Sequence, residues 1–203
     1  FKDPDVSGSD SPWPSKIIRV KQGQIFHCEF KPTKGAHTIH WHGIEPTPMN
    51  DGVGHTSFEV KSSYTYQWCA HQAGTYLYHC HKNTVLHFEM GMYGVLIVDP
   101  LTKPADTKNP NYLYDPVPGD EATGITVGAP YGAESILVFD DVDPRWHKLD
   151  HNAGMCGDDV GLDKFKPVYF LINGVHNGLT QTDKRTTLTT PAGKNVVVRL
   201  ANA

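Results

Sequence analysis

The sequence lacks any apolar run long enough to cross a lipid bilayer, and none of its four cysteines forms the CxxC pair typical of a zinc ribbon. No stretch keeps an apolar period of 3.6 residues over three turns, which argues against a mainly helical fold. The formal net charge is only −4 with His counted as neutral, which argues against a general binder of polyanions. Apolar residues still make up 38% of the 203 positions, enough for a real core.

The first half of the chain contains short segments that are wholly apolar or alternate between apolar and polar residues. Examples are Ile17–Val20, Ile25–Phe30, Ser63–Trp68, Thr75–His79 and Tyr93–Val98. Turn residues such as Gly23, Gly35, Gly43 and Gly74 bound these segments. Residues 16–100 are therefore predicted to form an antiparallel β-sandwich or barrel.

The rest of the chain divides by composition. Residues 1–15 are rich in Pro, Asp and Ser and are predicted to form an irregular arm, and residues 101–134 are predicted to form a linker. A second series of β segments follows, in which residues 193–200 repeat the Gly-led turn and buried strand of residues 23–30. We therefore expect residues 135–203 to be the N-terminal part of a second domain like the first.

Histidine is concentrated early in the chain, because nine of the twelve lie at or before residue 87. Two motifs hold most of them: HTIHWHG at 37–43, and HCHKNTVLH at 79–87, which is followed by Met90 and Met92. Side chains two apart on a strand share one face. His40 and His42 therefore point together, as do His79 and His81, while Cys80 points the other way. One strand can thus supply ligands to two metal centres.

A thiolate, two imidazoles and a distant Met form the ligand set of a blue copper site. Cys80 and Met92 are the obvious members, His87 lies between them, and His37 is the best candidate for the second imidazole. The remaining His residues lack a partner at ligand spacing or lie late in the chain, and we expect ordinary packed or surface roles for His27, His55, His71, His147, His151 and His176.

At these motifs the sequence resembles the superfamily of multicopper oxidases and copper nitrite reductases, which are built from cupredoxin domains. The resemblance implies an all-β, cupredoxin-like Greek-key sandwich, with one complete domain and the start of a second. It also implies a type 1 copper site, whose ligands by the family's spacing are His37, Cys80, His87 and Met92.

Two positions distinguish the branches of this superfamily. Nitrite reductases carry an Asp at the position of His40 and no His at that of His81, whereas this chain has imidazoles at both. The resemblance therefore implies half of a trinuclear copper cluster, with ligands His40, His42, His79 and His81. The family uses eight such ligands, so four must come from elsewhere. A nitrite reductase-like enzyme and a simple electron-carrying cupredoxin are the alternatives.

The implied function is that of a laccase-like multicopper oxidase. A reducing substrate gives single electrons to the type 1 copper through the His87 edge, Cys80 passes them to the trinuclear cluster, and O2 is reduced to water. Phenols, Mn(II), Fe(II) and Cu(I) are all possible substrates. Asp51, in an Asp-Gly pair nine residues after His42, is implied to assist proton delivery, although such pairs are also common turns. Glu89 could bind a cation, but we expect Glu89 to be an ordinary acidic residue in an exposed loop.

The type 1 motif lies in the first domain, whereas three-domain laccases carry it in the last. This arrangement resembles two-domain oxidases, which form trimers, although longer ceruloplasmin-like chains can also place it there. We expect an extracytoplasmic protein in which Cys28 and Cys69 pair in a disulfide, with two free thiols as the alternative. We also expect the missing trinuclear ligands to come from a longer chain or a neighbouring subunit, because residues 135–203 contain no HxH motif.

Overall fold

The computed structural model of the protein describes Phe1 and residues 13–124 and 126–203. Most of the predicted N-terminal arm, residues 2–12, lies outside the described part of the chain. Strands dominate what is described, and the two α-helices are short. The predicted all-β, cupredoxin-like fold is confirmed. Among the described residues, no helix combines the length and apolar character that a membrane span would need.

The first part of the chain forms a four-stranded sheet, a separate strand pair and two helices. In chain order these are β1 (Ser15–Lys21), β2 (Ile25–Phe30), β3 (His40–His42), α1 (Pro48–Asp51), β4 (Tyr64–Cys69), β5 (Gly74–His79), α2 (Thr84–Glu89) and β6 (Tyr93–Asp99). The sheet has the order β1-β6-β5-β3, in which β1 and β6 run parallel and the other pairs antiparallel. Strands β2 and β4 form the separate antiparallel pair, which faces this sheet across the core.

Aromatic side chains fill the core between these two layers. Trp41, Tyr66 and Trp68 are at most 5% exposed. The ring centroids of Tyr66 and Trp68 lie 5.8 and 5.3 Å from that of Trp41. Each such side chain buries roughly 150–250 Å² of surface, so each contributes several kcal/mol at about 25 cal/mol per Å². Because side chains alternate along β3, the burial of Trp41 turns His40 and His42 to the opposite face.

The later part of the chain forms a second four-stranded sheet and a two-stranded ribbon. Its strands are β7 (Asn111–Tyr112), β8 (Pro130–Tyr131), β9 (Ala133–Val142), β10 (Tyr169–Ile172), β11 (Val175–His176) and β12 (Val196–Asn202). The sheet has the order β11-β10-β9-β12, with β12 parallel to β9, and β7 pairs with β8 inside the predicted linker. Short 3-10 helices lie at Asp120–Thr123, Trp146–Lys148, Leu162–Lys164 and Asn177–Gln181.

Strand β6 of the first sheet lies between the aromatic core and the second sheet, and it is buried on both faces. Leu96 and Val98 point into the aromatic core, whereas Tyr93, Val95 and Ile97 pack against the second sheet around Val138 of β9. The wholly apolar character of this run is therefore explained by its two covered faces.

Polar contacts also cross between the sheets. The Tyr93 hydroxyl donates to Asp140 Oδ2 at 2.6 Å, and the Trp13 indole N–H lies 2.9 Å from both groups. At the other end, Glu134 accepts hydrogen bonds from Arg19 and Arg199. Burial would raise the pKa of Glu134, but these two guanidinium groups outweigh it and lower the pKa.

The expected disulfide between Cys28 and Cys69 is wrong, since neither cysteine is in a disulfide bond. They do lie on neighbouring strands, β2 and β4, as expected. The register, however, pairs Cys69 with Ile25 and Cys28 with Tyr66. Positions three apart on a strand face opposite sides, so the two thiols point away from each other.

Candidate metal centre

The antiparallel pairing of β3 with β5 brings two HxH motifs together. His40 lies opposite His79, and His42 lies opposite Leu77. Nδ1 of His42 is 3.3 Å from Nε2 of His79, and ligand atoms of His40, His42 and His79 lie within 4.8 Å of one another. The ring of His81, just beyond β5, is 5.3 Å from that of His40 and 5.7 Å from that of His79. We call these four residues the four-imidazole cluster.

Helix α1 holds one member of this cluster in place. Nδ1 of His40 lies 2.8 Å from the carbonyl oxygen of Asp51 and 3.3 Å from the Asp51 carboxylate. Since a carbonyl can only accept, Nδ1 of His40 carries the hydrogen and Nε2 is left free as a ligand atom. The close approach depends on Gly52, at φ 72°, where a Cβ would stand 1.9 Å from the Ile39 carbonyl oxygen.

A second group lies on the opposite side of the same chain segment. Sγ of Cys80 is 3.2 Å from Nδ1 of His87 and 3.6 Å from Nδ1 of His37, and all three residues are buried. We call these three residues the Cys80 cluster. His37 is fixed by a pair of backbone hydrogen bonds to Val60 and by a contact of 2.8 Å between its Nε2 and the Lys34 carbonyl. Both imidazoles therefore present Nδ1 to the thiol.

The backbone places Met92 beside this cluster. Its carbonyl accepts a hydrogen bond from the Cys80 N–H at 3.0 Å, and its own N–H donates to the His87 carbonyl at 2.9 Å. These bonds connect β6 to the end of β5 and to α2. Met90, by contrast, caps the end of α2.

Burial shifts the pKa of three imidazoles and of the thiol. It lowers the pKa of His37 and of His79 to about 4, and it also lowers the pKa of His87, so these imidazoles are neutral near pH 7. Burial raises the pKa of the Cys80 thiol. Neutral imidazoles are ready to bind a metal, and a metal ion would supply the positive charge that a buried thiolate needs.

Comparison with known proteins now adds to this geometry. A family model described as multicopper oxidase matches residues 4–103. The L-ascorbate oxidase of Cucumis sativus is 36% identical over 104 residues, which are 47% of this chain and 17% of that protein. Residues 4–103, just under half of the chain, therefore belong to the multicopper oxidase family.

Two further proteins are similar to this chain. A copper-containing nitrite reductase of Neisseria meningitidis serogroup A is 30% identical over 95 residues, covering 45% of this chain and 24% of that protein. The crystal structure of a blue copper oxidase from Nitrosomonas europaea matches with a TM-score of 0.58 and 29% identity, covering 81% of this chain and 45% of that one. The chain thus spans under a quarter of these curated relatives and less than half of that structure.

The structure brings together the His and Cys side chains that the sequence singled out as metal ligands. Cys80 faces one group and His79 the other, as the alternation along the strand predicts. His27, His55 and His71 are exposed and belong to neither cluster.

The structure corrects three of the expectations about individual residues. Glu89, expected to be an exposed loop acid, is 6% exposed and accepts a hydrogen bond from the Asp143 N–H. Its burial, together with nearby carboxylates, raises its pKa to about 7. His87 has no exposed edge, because it is completely buried. His151, expected to be an ordinary surface residue, lies against His37 and His87.

A cleft opens beside the four-imidazole cluster. Its volume is about 720 Å³, and all four imidazoles line it. The facing wall comes from α2 and the later part of the chain and includes Phe88, Glu89, Asp140 and Asp141. The two clusters therefore differ in access: the Cys80 cluster is enclosed, and the four-imidazole cluster faces open space.

Proposed function

We propose that this chain is part of an enzyme that couples the one-electron oxidation of a small reducing substrate to the four-electron reduction of O2 to water. The observation that carries the proposal is the position of Cys80. It lies between His79 and His81 in sequence, and it joins a thiol cluster on one side to four imidazoles on the other. No other path between the two clusters is needed.

The donor sets fit copper. A thiol sulfur with two imidazole Nδ1 atoms at 3.2 and 3.6 Å, and with Met92 held beside them by backbone bonds, has the composition of a type 1 site. Imidazoles such as His40 and His42 are ligands that copper binds well. We therefore assign type 1 copper to His37, Cys80, His87 and Met92, and a shared trinuclear site to His40, His42, His79 and His81.

Copper at these sites would supply the electron storage and transfer that O2 reduction requires. The chain supplies the rest. Enclosure of Cys80 keeps water and reagents from the thiol, and the Asp51 carbonyl fixes the tautomer of His40. The Asp51 carboxylate lies 3.3 Å from the same ring and is 21% exposed, so it can pass protons from solvent towards the cleft. We propose this proton-delivery role for Asp51.

The four-imidazole cluster supplies half of the ligands that the family uses for a trinuclear site. Among the described residues, the only groups of three or more close metal-binding His, Cys or acidic side chains belong to the two clusters. We propose that the other ligands come from a longer chain or from a neighbouring subunit, as in a trimer. The working location would be outside the cytoplasm.

A nitrite reductase-like enzyme is the second candidate, and the similarity to the Neisseria protein favours it. The imidazoles of His40 and His81 count against it. Copper analysis of the loaded protein in its native assembly separates the readings: about four coppers per chain indicate an oxidase, about two a reductase and about one a carrier. Type 1 and type 2 paramagnetic resonance signals together, with O2 uptake, are expected. A type 1 signal alone with no uptake would overturn the proposal.

A further inference from the structure

A turn from the later part of the chain covers the Cys80 cluster. We call residues 150–153 the cover segment. Backbone bonds close its turn, since the Ala153 N–H donates to the Asp150 carbonyl at 2.9 Å. Trp146, just before the cover segment, is 5% exposed. Its ring packs against that of Phe165, with 4.7 Å between the centroids, and this contact anchors the segment.

The cover segment is tied to the ligand loop by backbone acceptors. Nε2 of His87 lies 2.8 Å from the His151 carbonyl oxygen, so this ring nitrogen donates to it. The Asn83 side-chain amide donates to the carbonyls of His151 and Ala153 at 3.1 and 3.0 Å. Asn83 has a φ of 45°, a conformation that Asn tolerates better than most residues. The outer edge of His87 is thus already occupied by protein.

The His151 ring is the outermost imidazole of this region. Its centroid is 5.9 Å from that of His37 and 6.3 Å from that of His87. The His151 side chain is 31% exposed, whereas His87 is not exposed at all. Gly35 makes room for it, because a Cβ at Gly35 would stand 2.6 Å from Nε2 of His151.

We infer that the cover segment, with His151 as its outermost side chain, is the surface at which reductants deliver electrons to the Cys80 cluster. The inference rests on the proposed oxidase function. A copper ion held by that cluster would accept the single electron that the donor loses, with no bond formed or broken. The short route for the electron runs from the cover segment through the hydrogen bond between the His151 carbonyl and Nε2 of His87. A donor therefore never contacts His87, and His151 becomes a residue that determines specificity.

Copper-free protein tests the cover itself. Alkylation of Cys80 by iodoacetamide, followed by peptide mass spectrometry, reads this thiol separately from the other three cysteines. Asn83→Gly keeps the positive φ but removes two hydrogen bonds to the cover, so Cys80 should react roughly tenfold faster or more. Met155→Ala, an exposed change beyond the cover segment, should leave the rate unchanged. An unchanged rate in Asn83→Gly would show that the segment is no cover.

Copper-loaded protein tests electron delivery. Anaerobic bleaching of the blue band by a neutral and by a cationic reductant gives a rate constant for each, and a redox titration gives the potential. His151→Ala should change the two rate constants unequally, by about tenfold for one of them, with the potential nearly unchanged. Met155→Ala should match the wild type. Equal rates in His151→Ala and wild type would overturn the inference, whereas a wild type that never turns blue would overturn the proposed function.

Discussion

The two clusters of this chain meet at one strand end but differ in closure. The Cys80 cluster is enclosed by the protein, with Cys80 and His87 fully buried. The four-imidazole cluster lines an open cleft and has further space beside every ring. Metal sites that only hold or relay are commonly closed, whereas sites that bind a reactant keep an open position. The contrast supports our proposal of electron relay on one side and O2 reduction on the other.

The largest expected effect is that of a substitution in the Cys80 cluster. Cys80→Ser should abolish the blue absorption, because the thiolate is the source of the charge-transfer band, while the similar volume of Ser keeps the fold. Visible spectroscopy and circular dichroism of the copper-loaded variant measure the two properties. Cys156→Ser is the matched control, since Cys156 is exposed and belongs to neither cluster. A blue Cys80→Ser variant would contradict the assignment.

The four-imidazole cluster can be disrupted without changing the Cys80 cluster. His40→Ala should remove copper from the four-imidazole cluster and stop O2 uptake, because one of its three closest ligands is lost. The blue band should remain, since His40 takes no part in the Cys80 cluster. Copper content, paramagnetic resonance and an oxygen electrode provide the measurements. His55→Ala changes an exposed imidazole and serves as control. Loss of blue colour in His40→Ala would show that the clusters are not separable.

The sequence predicts the part of this contrast that arises from residues close together in the chain, and not the part that arises from distant ones. The two faces around Cys80 follow from the period of a strand, so the sequence reveals them. The cover over His87 does not follow from any pattern, because its decisive group is the backbone carbonyl of His151, 64 positions away. Every residue has such a carbonyl, and only the packing of the second sheet places this one.

Glu89 and the cysteines show the same limit. Glu89 ends a short helix, and its burial arises because the Asp143 N–H and the later part of the chain lie over it. Cys28 and Cys69 lie on paired strands, as expected. Their register, however, depends on the geometry of the intervening chain, and a shift of one residue reverses which face each side chain takes.

A smaller effect is expected where the backbone supports the open cluster. Gly52→Ala would set a Cβ 1.9 Å from the Ile39 carbonyl oxygen in a backbone region unfavourable to Ala. The variant should lose roughly 1–3 kcal/mol of stability, with α1 displaced from His40. Urea unfolding gives the stability and copper titration the affinity of the open cluster. Gly54→Ala is the matched control, because nothing lies within 4 Å of its added Cβ. Equal losses in the two variants would refute the steric argument.

The contact between the sheets should add a modest pH dependence. Because its two arginine partners lower the pKa of Glu134 in the folded protein, its ion pairs stabilise the fold above the ordinary Glu pKa. This contribution is lost as the pH falls through the lowered pKa. Glu134→Gln should flatten that part of the stability curve, measured by thermal unfolding in buffers below pH 5. Glu29→Gln, which also removes a Glu of lowered pKa but on the surface, should change the curve little.

The smallest structural change sharpens the assignment of Met92 within the closed cluster. The backbone of Met92 is held by bonds to Cys80 and His87, and these bonds do not involve its side chain. Met92→Leu should therefore keep the fold, the copper and the blue colour, because His37, Cys80 and His87 are untouched. Its reduction potential should shift, since the axial ligand tunes the potential of a blue copper site. A spectroelectrochemical titration measures the shift, and Met90→Leu, two residues away at the end of α2, is the control. Loss of copper from Met92→Leu would contradict a weak axial role, and a potential equal to that of the wild type would place the thioether outside the site.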